Sequence, residues 1–221
     1  MRILLADSVH INKRNFPSLF RAISTHEVFT TEITFEQVSR YGRYEGDREI
    51  QRISRDFKSL STRETAGLVE SEIHLFSLCE SEMLTYLITK NNFDPNVLEW
   101  DQEGRIDYYF RQYPADLKMN LAAAKFWVKF WVKKFEENPV MHASIVFSGS
   151  STYQKALIEV VKQTQCRNFV IEGTLSGHRF YFEEKYDRIA NNSDIKFNNV
   201  YRKCLDSFSN INIRREHVKA V

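Results

Sequence analysis

The chain has 221 residues, with 31 Lys+Arg against 29 Asp+Glu and a formal net charge of +2. That length holds one large domain or two small ones, and the balanced charge excludes a general pull towards nucleic acid or membrane. A hydrophobic fraction of 43% with 17 Phe excludes wholesale disorder, while only 7 Gly, about 3% where about 7% is usual, argue against a turn-rich sandwich or barrel.

Cys79, Cys166 and Cys204 are odd in number and far apart, so they form no complete disulfide framework and no CxxC metal pair. The first apolar run ends at Asp7, too short for the core of a signal peptide. The longest apolar-rich stretch, Leu121–Phe135, is interrupted by Lys125, Lys129, Lys133 and Lys134, so no segment reaches the ~18 apolar residues of a membrane span. The expected setting is cytoplasmic, at most peripheral to the inner membrane. His26, His74 and His142 lack metal-ligand spacing, and neither a metal nor another cofactor is expected.

In chain order, Arg2–Asp7 reads as a buried parallel strand running into a loop. Pro17 opens a helix over 17–24, and the β-branched and aromatic Glu27–Phe35 reads as a second strand. Asp47–Leu60 and Glu64–Lys90 carry apolar residues at helical spacing, and Pro95 breaks the pattern into a loop. Pro114 opens a long helix through Trp127 and Trp131 to about Asn138, whose aromatic stripe reads as core.

The last third changes period. Ala143–Phe147 is a continuous apolar run, followed by Ser148-Gly149-Ser150-Ser151, a helix over 153–163, and a strand over 168–171 ending at Glu172. Strand, small-residue turn, helix and strand within about thirty residues is the spacing of a βαβ unit. The fold class is therefore α/β: a single domain over 1–221. Its Rossmann-like parallel sheet is drawn from 1–35 and 143–200, with a large helical insertion over about 45–138.

Open parallel sheets bind ligands at the carboxyl ends of their strands. Asp7 and His10 follow the first strand and should lie near the later strand ends. Ser148, Gly149 and Ser150 can cradle an anion at a helix N-terminus, although the turn lacks both the GxGxxG and the Gly-Lys-Ser/Thr patterns. The plainer reading is that Ser151 caps the helix. Glu172, a carboxylate ending an apolar strand, suits general acid or base work. Gly173 and Gly177, two of only 7 Gly, mark a polar loop carrying His178 as a titratable group and Arg179 as an anion clamp. In the aromatic stretch 180–186 the rings can stack on a sugar or base and Glu183 or Glu184 can accept hydroxyl hydrogen bonds, although an ordered loop pinned by buried aromatics is the simpler account. A hydrolase triad of Ser148 or Ser150 with His178 lacks the GxSxG elbow.

The stretch Asn168–Lys196, with strand-end "IEG", then "SGHRFYFEEKY" and "IANNSDI", resembles bacterial capsule and surface-polysaccharide biosynthesis proteins. These are retaining transferases that add a 3-deoxy-octulosonic acid (Kdo) from its CMP-activated form, and their relatives. The opening MRILLADS and NFPSLFRAI are similar to the start of such proteins. The resemblance implies one half of a two-domain GT-B glycosyltransferase, with the N-terminal half holding the glycan acceptor and the other half the nucleotide-sugar. It implies Glu172 as the acid near the reacting centre, with Gly173, Gly177 and His178 as its loop.

Because this sequence has room for one such half, the expectation includes a separate second-half protein or a homodimer. A truncated product, or a chain that no longer catalyses transfer, stays open too. Two function classes follow: a glycosyltransferase or its acceptor-side half, and a non-catalytic binding or scaffold module acting with a partner chain. Nucleic-acid binding through the lysines of the long helix and Arg214-Arg215 is weaker, given the balanced charge.

Overall fold

The computed structural model describes residues 1–31, 33–38, 40–57, 60–90, 92–173 and 180–184. These lie in one compact unit, Met1–Tyr186. The segment Asn191–Asp194, whose Asn, Ser and Asp residues predict a turn before a last helix, and the end of the expected sheet-forming region fall outside the described residues.

The first strand, β1 (Arg2–Leu5), is followed by α1 (Pro17–Ala22) and β2 (Glu27–Thr30). Far along the chain come β5 (Ala143–Phe147), α8 (Thr152–Lys162), β6 (Arg167–Gly173) and β7 (Phe180–Glu184). The sheet order is β2-β1-β5-β6-β7; the first four strands are parallel, and β7 adds antiparallel to β6. This is a Rossmann-like α/β arrangement, as the apolar runs and the βαβ spacing require.

Alternation along the strands sorts their side chains onto two faces. Ile3, Leu5, Ala143, Ile145 and Ile171 face a small core with Ile11, Phe16 and Ile23, covered by Leu19 and Phe20 of α1. Leu4, Ala6, Val146 and Val170 join the larger core formed with the insertion helices. At its centre is α7 (Pro114–Glu137), whose Trp127 and Trp131 are buried. The indole of Trp131 donates to the Tyr153 carbonyl at 2.8 Å, pinning α7 to α8. The aromatic stripe is core, as its helical spacing implies.

The insertion departs from the expected pattern in several places. The second strand stops at Thr30, and 35–38 form a helical turn, α2 (Phe35–Val38). Asp47 caps α3 (Arg48–Ser54), which tightens into a 3-10 turn over Arg55–Phe57. The single helix expected over 64–90 is instead α4 (Thr62–Ala66), a short hairpin of β3 (Val69–Glu70) and β4 (Ile73–His74), and α5 (Leu75–Leu87). Ser71 and Glu72 make that turn with φ of 48° and 63°, conformations that end any helix. The loop expected after Pro95 holds a 3-10 helix over Pro95–Glu99 and then α6 (Gln102–Gln112), capped by Asp101. Among the described residues no helix is long and apolar enough to cross a membrane.

Candidate functional site

The path from β1 to β2 moves one way across the sheet and the path from β5 to β6 moves the other, so the order reverses between the neighbours β1 and β5. At such a reversal the two loops at the carboxyl ends diverge and leave a crevice. Asp7 and His10 come from the loop after β1, and Ser148 and Ser150 from the turn after β5. Glu172, near the end of β6, completes the group.

Asp7 is fully buried. Its Oδ1 accepts the His10 amide at 3.1 Å, while the imidazole Nδ1 lies 2.9 Å from Oδ1 and 3.0 Å from Oδ2. The Tyr153 hydroxyl donates to Oδ2 at 2.5 Å, a charge-assisted bond in a closed environment. The Asp7 bond, with the carboxylate's charge, raises the His10 pKa above its ordinary 6.5 despite the opposing cost of partial burial. Burial, then the neighbouring carboxylate, drives the Tyr153 phenol upward, so it remains a donor.

The imidazole stacks on Phe147, with centroids 5.1 Å apart and planes 16° from parallel. Its loop is braced locally. Asn12 accepts the amides of Arg14 and Asn15, and the Asn15 side chain donates to the His10 carbonyl at 3.0 Å. Thr31, at the end of β2, donates to the Ala6 carbonyl at 2.9 Å. With Nδ1 on Asp7, a neutral imidazole bearing its proton on Nδ1 leaves Nε2 as an acceptor.

On the other side of the crevice Ser148 adopts φ of 61° and donates its amide to the Ile171 carbonyl at 2.7 Å. A serine in this left-handed region costs about 1 kcal/mol. Here the conformation brings the Ser148 hydroxyl to 3.1 Å from that of Ser150 and 3.4 Å from Glu172 Oε1. Gly149 is buried in the same turn.

The helix terminus behind this turn differs from the anion cradle that the sequence allowed. Gln154 Oε1 accepts the Ser151 amide at 3.0 Å, and Glu82 Oε2 accepts the Thr152 amide at 2.5 Å. The carboxylate that favours the α8 N-terminus is thus the protein's own. Glu82 Oε1 meanwhile accepts from the Gly42 amide and the Tyr44 hydroxyl, each at 2.7 Å, and burial together with Glu82 pushes the Tyr44 pKa well up. Capping, not ligand capture, is the role these amides show.

Glu172 pairs in register with Tyr181 of β7, and Gly173 with Phe180. The strand therefore runs past Glu172 into a hairpin, and the aromatic stretch expected as a pinned loop supplies its second strand. Ile171 is the last residue of β6 paired to β5, so Glu172 still sits one step beyond the parallel sheet. Gly177, His178 and Arg179 lie outside the described residues, as does the Glu183 side chain.

Five predicted residues, Asp7, His10, Ser148, Ser150 and Glu172, are thus brought to one edge. Tyr153, Gln154, Phe147 and Glu82 were not singled out. Tyr153 and Gln154 follow the small-residue turn directly, where a helix opening on the crevice points its first side chains inward. Glu82 gives no local signal, because one acid in an amphipathic helix looks like any other solvated charge. Compared with known proteins, the chain matches no family model, and no curated protein or solved structure is significantly similar to it.

Proposed function

We propose that this unit is the acceptor-side half of a glycosyltransferase of surface-polysaccharide assembly, as the resemblance to the Kdo transferases implies, with a CMP-activated sugar acid as donor. The observation that carries the reading is the buried Asp7 holding the His10 imidazole at the switch-point crevice. Nε2 of His10 accepts the proton of an acceptor hydroxyl as its oxygen bonds to the anomeric carbon of the donor. In this direct displacement the bond from that carbon to the nucleotide phosphate breaks, and the phosphate leaves with the electron pair. The anomeric centre is inverted, in contrast to the retaining transferases that the sequence resembles. Asp7 stabilises the imidazolium so formed, and the Tyr153 hydroxyl holds the Asp7 carboxylate in place. Ser148, Ser150 and Glu172 offer donors and acceptors suited to sugar hydroxyls. Carboxylates dominate the described edge, which favours the hydroxyl-bearing acceptor there over a phosphate.

The test measures CMP release and the mass gain of an oligosaccharide acceptor, with the full chain alone and with its candidate second half. His10→Gln should lower turnover by about 10²–10⁴-fold, the usual range for a general base. Acceptor binding should also shift the His10 imidazole resonances. Undiminished turnover in His10→Gln, or no acceptor-dependent signal in either measurement, overturns the reading.

A further inference from the structure

On the insertion, α7 and α3 border a groove of about 570 Å³, within the volume range of ligand sites. Lys125, Lys129 and Lys133 line it, four residues apart and so about 6 Å apart along the helix. Phe126 and Phe130 lie beside them, their rings stacked with centroids 6.4 Å apart and planes 26° from parallel. Both phenyls pack on the main core, which fixes them as a platform.

Lys129 and Lys133 are loosely held, whereas Lys125 is only 23% exposed and its ammonium lies 5.6 Å over the Phe57 ring. Lys125 lies 4.0 Å from Asp56, Lys129 4.0 Å from Glu70 and Lys133 3.8 Å from Glu137, all beyond hydrogen-bond distance. The Lys129 and Lys133 side chains are 56% and 75% exposed. Such pairs contribute little to stability, so a ligand anion displaces them at small cost.

From this arrangement we infer that the groove binds a short, linear, acidic oligosaccharide. A row of amines reads carboxylates repeated along a chain, and the phenyl platform offers apolar surface to sugar rings. Arg52 adds a fourth cation, whereas Glu49 and Asp56 place carboxylates in the same groove. Those acids decide the polymer class. Sugar hydroxyls on every ring of a glycan donate to carboxylates, while the phosphodiester backbone of a DNA strand brings no donor and is repelled by them. The concave shape likewise fits a chain better than a bilayer face. This inference rests on the glycan reading proposed above and places the charged part of a glycan on a second surface.

Trigalacturonate serves as the probe, titrated into the full chain by calorimetry. Wild type should bind it at least tenfold more tightly than neutral maltotriose, and added salt should weaken the binding. Lys129→Gln with Lys133→Gln should weaken it at least tenfold with an unchanged melting temperature, and Phe130→Leu should weaken it with the charges intact. His10→Gln should bind the probe like wild type. No binding by wild type, or undiminished binding by the lysine variant, overturns the inference. So does tighter, equally lysine-dependent binding of an oligothymidylate or of phosphatidylglycerol vesicles. Loss of His10-dependent transfer with probe binding intact refutes only the transferase reading, and the converse refutes only the groove.

Discussion

Replacing His10 by Gln separates an imidazole held by charge from one merely stacked on Phe147. Nδ1 lies 2.9 and 3.0 Å from the two oxygens of a fully buried Asp7, while the His10 side chain is 35% exposed. A hydrogen bond to a charged group contributes about 1.5–3 kcal/mol, and with a third of the ring in solvent the lower end applies. His10→Gln should therefore lose about 1.5 kcal/mol where the imidazole is charged. The bond to Asp7 raises the His10 pKa above 6.5. A raised pKa contributes stability that is fully present below the unfolded value and fades as pH climbs through the folded one. The gap between wild type and variant should thus be widest below pH 6.5 and shrink as the pH climbs above that value. Urea unfolding followed by tryptophan fluorescence across this pH series measures it. A gap constant with pH refutes the charge pairing, and a gap that widens with pH refutes its sign.

Tyr153→Phe removes the 2.5 Å bond to Asp7 and should cost about 2 kcal/mol in the same unfolding assay. It should also raise the His10 pKa further in an NMR titration, since Asp7 then has one donor fewer. Gly42 has φ of 83°, and a Cβ there would meet the Glu82 carbonyl at 3.0 Å and Met83 Cα at 3.2 Å. Gly42→Ala should cost about 2 kcal/mol or more, whereas Gly46→Ala, facing open space, should change stability by less than about 0.5 kcal/mol. Glu82→Gln leaves a buried amide facing donors that need acceptors and should cost about 3 kcal/mol, seen as a lowered melting temperature.

The central strands were legible because β1, β5 and β6 carry near-continuous apolar runs, as parallel strands buried on both faces do, whereas the edge strands β2 and β7 are more polar. Knowing the strands fixed where their carboxyl ends lie, which is why Asp7, His10, Ser148 and Glu172 could be grouped without coordinates. The insertion was less legible because helical periodicity survives a break. Leu68, Ile73 and Leu75 keep the expected spacing, yet the chain turns back at Ser71-Glu72. Glycine counting pointed to Gly173 and Gly177. Gly42, with its positive φ and its Cα wedged against α5 through contacts remote in sequence, cannot carry a Cβ without strain. Tyr153 and Glu82 act on Asp7 and on the α8 N-terminus across 146 and 70 residues of chain, distances over which spacing carries no signal.

Glu82 also shapes what the crevice can accept. In a nucleotide-binding Rossmann fold the helix after the glycine-rich turn receives a phosphate on its free amides. Here α5 delivers a carboxylate to the Thr152 amide, so the helical insertion closes the position where a phosphate would be welcome. Asp7 and Glu172 add further negative charge at the same edge. A ligand entering between them gains by offering hydroxyl donors and loses by bringing an anion. The insertion presents its amines elsewhere, along the groove face of α7. Glu82→Ala then has a consequence beyond stability: with the capping carboxylate removed from the Thr152 amide, inorganic phosphate should bind at the α8 N-terminus more tightly than in wild type. Equal phosphate affinity in the two proteins would show that Glu82 does not set the ligand's charge.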